Sequence, residues 1–498
     1  MTKPTVHFIG IGGIGTSALS RWFLKHGWQV SGSDAVASPI TQELKKQGIR
    51  VSIGHRAKNV AQEAKLVIYS SAVPSDNPEL KKAKKLRIIT KSYAEALADL
   101  TKQYKTLAVT GAHGKSTVTA LLSLVLIKAG FDPTVIVGTK LKEFGNSNFR
   151  NGKGDYLVLE ADEYQKSFLN YSPFAAIITN IDREHLDYYK NLRTIKNAFL
   201  KFINNIRQTR LRKASAEQAG ILVLNKDDKN LFSLQNKIQK IAKKNNLKVF
   251  WYSVKNQYSG HPMSQILTLN NFRTSDVQKL RKSLKIPGSH NLSNAMAVYT
   301  LARLFGINQK NIFSAISRYH GAWRRFEYRG QLEIGNWKLE IFDDYAHHPT
   351  EIKATLSGIA QKWPKTGLIC VFQPHQAQRL SALFKEFVGA FDKANILILL
   401  DIFKVAGRDK VSQNVNSKKL AEAIQYRINK LKTKNLKLKT IVYLPFPKKL
   451  PIVINEIIKE KFLNPKPSTL DAIIVMMGAG DIYKYTDFLL LYNNKKKP

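Results

Sequence analysis

The sequence predicts an α/β fold laid out as three successive parallel-sheet blocks, and three observations carry that expectation. Short β-rich runs alternate with helical patterns along the chain, which is how a parallel sheet acquires helices on its faces. Two strand-to-helix junctions are glycine-rich, at residues 10–15 and 111–117. The last third of the chain repeats the same logic, with apolar runs at 339–342, 367–372, 396–400 and 472–476.

In the first block, residues 6–9, 29–33 and 66–69 read as strands and 18–25 as a helix. The polar, lysine-containing connection 99–105 marks a boundary, so the first domain is placed at 1–98. The second block opens with a strand at 106–109 and a helix at 119–128, and further strands fall at 157–159 and 175–179. Its basic, polar segment 205–220 reads as a surface loop or an irregular helical excursion. This domain is placed at 99–325 and the third at 326–498, with a disordered tail at 493–498. No short-period repeat is visible.

At 498 residues the chain is long enough for roughly two to four domains. The apolar runs 121–127 and 396–400 are too short to span a bilayer. No charged and apolar leader precedes the first strand, so no signal peptide is expected. A single cysteine, Cys370, excludes an intramolecular disulfide and a cysteine-rich zinc site. A soluble, cytoplasmic protein without membrane contact is expected. The formal charge of +43 raises a polyanion partner. The lysines are spread along the chain, however, without an RNA-binding aromatic signature or a helix-turn-helix pattern. Solvated lysine-rich faces are the expectation, and no specific nucleic acid. The charge favours anionic substrates such as nucleotides.

The stretch Gly111, Ala112, His113, Gly114, Lys115, Ser116, Thr117 sits between an apolar strand and an apolar helix. Glycines let backbone N–H groups approach phosphate oxygens, and the helix N-terminus adds positive potential. Lys115 is placed to reach β- and γ-phosphates and Ser116 to ligate Mg2+. Gly10, Gly12, Gly13 and Gly15 form a G-x-G-x-x-G turn, with Asp34 after the second strand where a ribose-binding acid belongs. NAD, FAD or any nucleotide diphosphate can use such a turn. Glu160, Asp162 and Glu163 end an apolar strand, where acids beside a P-loop are natural Mg2+ ligands. His185 follows another strand and offers either a metal ligand or a hydrogen-bonding group. Residues 289–294 supply side-chain amides or an N-cap. Arg324 and Arg325 give two guanidinium groups suited to clamping phosphate. Asp343, Asp344, His347 and His348 suit a metal or hydrogen bonding to ribose and a small substrate. Arg379 offers a partner for a substrate carboxylate.

Taken together, the chain resembles the Mur ligases. The resemblance rests on GIGGIG at 10–15, SSAVPSDNPE at 70–79, GAHGKST at 111–117, EADE at 160–163 and TNIDREHLDYY at 179–189. It continues with SHNLSN at 289–294, WRRFE at 323–327, DDYAHHPTE at 343–351, FQPH at 372–375 and MGAGDIY at 477–483. It implies a Rossmann-like N-terminal domain for a UDP-sugar and a central P-loop ATPase-type parallel-sheet domain for ATP and Mg2+. It also implies a Rossmann-like C-terminal domain for the amino acid. The implied activity joins L-alanine to the lactyl carboxylate of UDP-N-acetylmuramate through an acyl phosphate, for peptidoglycan precursor synthesis. A recycling enzyme that adds a tripeptide to the same sugar nucleotide is the alternative within the family. An NAD-dependent oxidoreductase or a polyanion-binding module would leave most of these motifs idle.

By the resemblance, Gly10, Gly12, Gly13 and Gly15 hold the UDP pyrophosphate, and Asp34 and Ser71 contact the nucleotide. Lys115 binds the ATP phosphates, Ser116 and Glu160 hold one Mg2+ and His185 a second. Asn291 and Asn294 contact the adenine end, Arg325 faces the phosphates and Asp344 the ribose. Tyr345, His347 and Arg379 shape the amino-acid site. The small-molecule substrates are the implied partners, with a monomer or homodimer expected. Several positions depart from the family pattern. Ala112 and Ser116 stand where threonines are usual, Gln376 stands for an arginine, and Ala346 stands for a glycine. Phe199 occupies the place where later-acting relatives carry a carbamylated lysine, which favours the alanine-adding or recycling branch.

Overall fold

The computed structural model describes residues 3–207, 209–210, 217–255, 274–335, 337–404, 415–431, 436–461 and 472–494. The chain forms two compact units. The first comprises Met1–Glu184, Asn191–Ser283 and Ser293–Arg318; the second comprises His185–Lys190, Leu284–Leu292 and Tyr319–Pro498.

The first unit holds two large sheets. Strands β1 (Thr5–Ile9), β2 (Gln29–Asp34), β3 (Arg50–Ile53), β4 (Leu66–Tyr69) and β5 (Ile89–Ser92) form a five-stranded sheet in the order β3-β2-β1-β4-β5. All four pairings are parallel. The chain reverses direction across the sheet between β1 and β4, and ligands of such sheets bind at the carboxyl ends beside that reversal. The turn at residues 10–13 leaves β1 there.

Strands β6 (Lys105–Thr110), β7 (Thr134–Leu141), β8 (Ser147–Arg150), β9 (Tyr156–Glu160) and β10 (Ala175–Ile178) follow. After a short antiparallel pair, β11 (Thr209–Arg210) and β12 (Glu217–Gln218), come β13 (Gly220–Asn225) and β14 (Leu247–Tyr252). The seven-stranded order is β14-β13-β10-β6-β9-β7-β8, antiparallel only at the β7–β8 hairpin. Strand β6 therefore lies between β10 and β9, and the acids that end β9 and follow β10 flank the glycine-rich loop. The helix Lys115–Lys128 buries nearly every side chain from Ser116 to Leu126, so it is apolar all round rather than striped.

The second unit is built on β15 (Glu327–Ile334), β16 (Trp337–Asp344), β17 (Gly367–Phe372), β18 (Ile396–Leu400), β19 (Thr440–Leu444) and β20 (Ala472–Met477). Their order is β15-β16-β20-β17-β18-β19, antiparallel only at β15–β16. Central strands β18 and β20 are buried along their whole length, as strands covered on both faces must be. Two apolar layers cover the sheet, one around Phe372, Phe387 and Phe391 and the other around Ile398, Ile454 and Ile474.

The observed strands meet or slightly exceed those expected from apolar runs, except β10, which ends at Ile178, one residue short of the expected 175–179. Helices begin earlier than expected, at Ile14 and at Lys115, because their first turns carry small or polar functional residues outside the apolar pattern. Most strands without a sequence signal are sheet edges: β3, β5 and β19 are largely exposed or half-buried. The connection expected from residue 99 is corrected. The helix Tyr93–Thr101 runs through 99–101, opened by a Ser92–Glu95 capping box and anchored by buried Leu97 and Leu100. In segment 205–220 the described residues include an extended antiparallel pair; residues 211–216 lie outside the described residues. The helix Tyr483–Asn494 enters the expected disordered tail, and 495–498 lie outside the described residues. No helix among the described residues is long and apolar enough to cross a membrane.

Candidate functional site

In the first unit, the loop after β6 is pinned by residues that follow β10. The His113 N–H donates to Asn180 Oδ1 (2.8 Å). The His113 carbonyl accepts from Thr179 Oγ1 (2.6 Å) and Asn180 Nδ2 (3.0 Å). Two positions require glycine. Gly111 has φ +135°, and a Cβ there would lie 2.1 Å from Thr179 Oγ1. Gly114 has φ +83°, and a Cβ there would lie 2.5 Å from Asn294 Oδ1. Asn294, 6% exposed, therefore abuts the loop directly.

Lys115 Nζ donates to the Gly111 carbonyl (2.7 Å) and lies 2.9 Å from Glu163 Oε2. Burial pulls this ammonium down, but the carboxylates of Glu163, Asp162 and Glu160 outweigh it and raise Lys115 above the ordinary lysine range. It is a full cation at neutral pH. One residue further, Ser116 Oγ donates to Glu160 Oε1 (2.9 Å), and the Gly138 N–H on β7 donates to Glu160 Oε2 (2.6 Å). A hydroxyl and a carboxylate converging at the head of a P-loop helix are the hard oxygen donors that Mg2+ takes, so these residues fit that ion. Thr117 is buried in the first turn of the helix. Gly138 and the bracing roles of Thr179 and Asn180 are not marked by the strand-end pattern; the TN pair that opens the 179–189 motif is their one sequence signal.

On the five-stranded sheet, the Gly10 N–H (2.8 Å) and Ile11 N–H (3.0 Å) donate to the Ser33 carbonyl, while the Gly12 N–H donates to Asp34 Oδ2 (2.8 Å). Asp34 thus braces the glycine turn. A Cβ at Gly15 would meet the Tyr93 ring at 2.7 Å, and Gly13 caps the helix Ile14–Lys25. Ser71 is exposed just beyond β4. Beneath the turn, fully buried Glu79 accepts from Ser33 Oγ (2.6 Å), Asn59 Nδ2 (2.7 Å) and the Arg56 N–H (3.0 Å), with His7 Nε2 3.0 Å away. Burial pushes its carboxyl up, but hydrogen bonds from His7, Ser33 and Asn59 bring it below the usual range. This brace was unread in the sequence, although Glu79 closes one recognised motif.

The second unit gathers Arg325, Asp344, Tyr345, His347 and Arg379 at the carboxyl ends of its strands. The Arg325 guanidinium stands 4.7 Å from the Tyr345 ring centroid and 3.9 Å from Glu351 Oε1. Buried Asp344 accepts from the Ala346 N–H (2.9 Å) and Thr355 Oγ1 (3.2 Å), and burial pushes its carboxyl up to about 6. His347 Nδ1 lies 3.0 Å from the Tyr345 carbonyl and 3.2 Å from Glu351. Arg379 Nη1 lies 3.3 Å from His375 Nδ1, and the His375 ring stacks on Phe403. Gln376 opens the following helix with φ +68°. The expected pair of phosphate-clamping arginines is corrected: Arg324 is 5% exposed and its side chain donates to the Gly478 carbonyl. His185 turns the chain at φ +55°, its carbonyl accepting from the N–H groups of Tyr188 and Tyr189. Asn291 Nδ2 donates to the Pro287 carbonyl (2.6 Å) in the first turn of the helix Ser289–Leu304.

Three family models match in sequence order. They describe the Mur ligase catalytic domain over residues 5–105, the Mur ligase middle domain over 109–302 and the Mur ligase glutamate ligase domain over 324–444. A Clostridium perfringens UDP-N-acetylmuramate–L-alanine ligase is 40% identical over 429 residues, covering 84% of this chain and 87% of the relative. One from Clostridium botulinum strain Loch Maree is 39% identical over 484 residues, 96% of each. Among solved structures, UDP-N-acetylmuramate-alanine ligase from Thermotoga maritima superposes with a TM-score of 0.72 at 24% identity, covering 99% of this chain and 100% of that one. The murein peptide ligase of Psychrobacter arcticus gives 0.63 at 19% identity, covering 99% and 100%. A P-loop beside a hydroxyl–carboxylate pair, a braced glycine turn on a first sheet and three family models in order have one common explanation: the chain belongs to the Mur ligase family.

Proposed function

We propose that this chain joins L-alanine to the lactyl carboxylate of UDP-N-acetylmuramate, converting ATP to ADP and phosphate. A match at 39% identity across 96% of the chain to a relative named for that activity carries the reading. Phe199 supports it: where later-acting ligases place a modified lysine, this chain has a fully buried ring packed edge-on against Phe168 at 5.3 Å.

A carboxylate resists attack by an amine because its oxide is a poor leaving group. The lactyl carboxylate oxygen therefore attacks the γ-phosphorus and ADP departs. Lys115 sits at the loop that cradles the phosphates and offsets charge developing on the transferred group. Mg2+ held by Ser116 and Glu160, with His185 for a second ion, would supply further neutralisation of that charge. The neutral amine of L-alanine then attacks the acyl carbon, phosphate leaves and an amide remains. Gly10, Gly12, Gly13, Gly15, Asp34 and Ser71 are assigned to the UDP-sugar. The loop 111–117 with Asn291, Asn294, Arg325 and Asp344 is assigned to ATP, and Tyr345, His347 and Arg379 to the amino acid. The domains are assigned to 1–98, 99–325 and 326–498, and the protein to the cytoplasm as a monomer or homodimer.

Substrate labelled with 18O in the lactyl carboxylate tests the chemistry. One labelled oxygen should appear in the released phosphate; unlabelled phosphate would eliminate the acyl phosphate.

A further inference from the structure

Arg324 is a cation in the interior of the second unit. Its guanidinium carbon lies 4.9 Å from the centroid of the Tyr345 ring and 4.9 Å from that of Tyr483, with the Trp323 ring at 5.8 Å. Nη2 donates to the Gly478 carbonyl, the Tyr345 N–H donates to the Arg324 carbonyl (2.6 Å), and the Gly478 N–H donates to the Asp344 carbonyl (3.0 Å). Three loops at one end of the six-stranded sheet, near residues 324, 344 and 478, are thus closed into a ring. Arg324 and Phe326 both adopt left-handed backbone, at φ +57° and +49°. Such conformations persist only when their surroundings enforce them; here Phe326 stacks on Phe342 at 4.4 Å. The outward neighbour Arg325 packs on the same Tyr345 ring.

We infer that Arg324 is a positioning residue: its buried guanidinium fixes the Tyr345 ring, and through that ring the Arg325 guanidinium, for the amino-acid and ATP chemistry of the C-terminal domain. The inference rests on the proposed ligase function. A lysine cannot replace this group, because a flexible point charge lacks the planar face that packs against two rings and the fork that reaches Gly478. Tyr483 is the discriminating partner, since it touches Arg324 from the C-terminal helix and is assigned to no substrate.

The test compares full-length wild type with Arg324→Lys, Tyr483→Leu and Tyr483→Phe. KM for L-alanine should rise about tenfold in Arg324→Lys, the scale of a desolvated cation–π contact. Tyr483→Leu should move the same KM in the same direction, and Tyr483→Phe, which keeps the ring, should not. KM for UDP-N-acetylmuramate should stay unchanged in all three. Hydrogen exchange of residues 343–348 gives a readout that needs no substrate: it should quicken in Tyr483→Leu and not in Tyr483→Phe. A wild type inert with L-alanine defeats the ligase reading alone, and the exchange experiment then decides the clamp. Equal exchange in the two Tyr483 variants, or equal rises in every KM, would overturn the positioning role. If Arg324→Lys does not fold, the Tyr483 pair still decides.

Discussion

Lys115 Nζ lies 2.9 Å from Glu163 Oε2, and the two side chains are 14% and 2% exposed. The carboxylate holds the lysine at the loop proposed to bind the ATP phosphates, and the lysine compensates a charge removed from water. Lys115→Ala should lower the single-turnover rate by about 100-fold or more, the scale of losing a preorganised charge-stabilising donor. It should also destabilise the protein by roughly 3–5 kcal/mol, because Glu163 loses this partner in a buried setting. Thermal denaturation and rapid-quench kinetics read the two effects separately. Near-normal turnover would remove Lys115 from the phosphate site.

Gly138 donates to the carboxylate proposed to hold Mg2+, and a Cβ there would come within 2.8 Å of both Glu160 oxygens. Gly138→Ala should push that carboxylate off Ser116. The Mg2+ concentration for half-maximal activity should rise about tenfold, as when a group orienting a metal ligand is lost. Mg2+-dependent nucleotide binding should shift with it. An unmoved titration would argue against Glu160 as a ligand.

Gly114 combines positive φ with contact to Asn294. Gly114→Ala should cost on the order of 1–2 kcal/mol for the left-handed backbone alone. It should also abolish ATP binding in calorimetry, because the added carbon displaces Asn294. Retained affinity would show that the loop tolerates a side chain.

Burial raises Asp344 to about 6. The folded state therefore binds a proton that the unfolded state releases near pH 4, so stability falls as pH rises from about 4 to about 6 and is level above. The shift corresponds to about 3 kcal/mol. The stability of wild type relative to Asp344→Asn should therefore fall by about that amount between pH 4 and pH 6, while Asp343, which burial also raises to about 6, contributes equally to both curves. A difference that does not change with pH would place the titration on another group.

The sequence disclosed the groups whose chemistry requires a particular residue at a particular spacing. Lys115, Ser116 and Glu160 were legible because glycines, a hydroxyl and an acid sit at strand ends, and the structure places Ser116 against Glu160. Groups that act through backbone atoms or from a distant segment were not. Gly138 contributes an N–H from an internal strand. Glu79 reaches the glycine turn through Ser33, 46 positions away. Arg324 and Arg325 are adjacent and alike in sequence; only the left-handed turn at Arg324 sends one inward. Edge strands β3 and β5 escaped notice because half-buried strands carry too few apolar residues to form a run.

The most direct measurement is phosphate release from ATP by the purified protein with Mg2+ and UDP-N-acetylmuramate, with L-alanine, glycine, L-serine or the tripeptide added in parallel. Turnover is expected with L-alanine and not with the tripeptide, even with Gln376 in place of an arginine. Turnover with the tripeptide alone, or with no amino acid acceptor at all, would refute the alanine-ligase assignment.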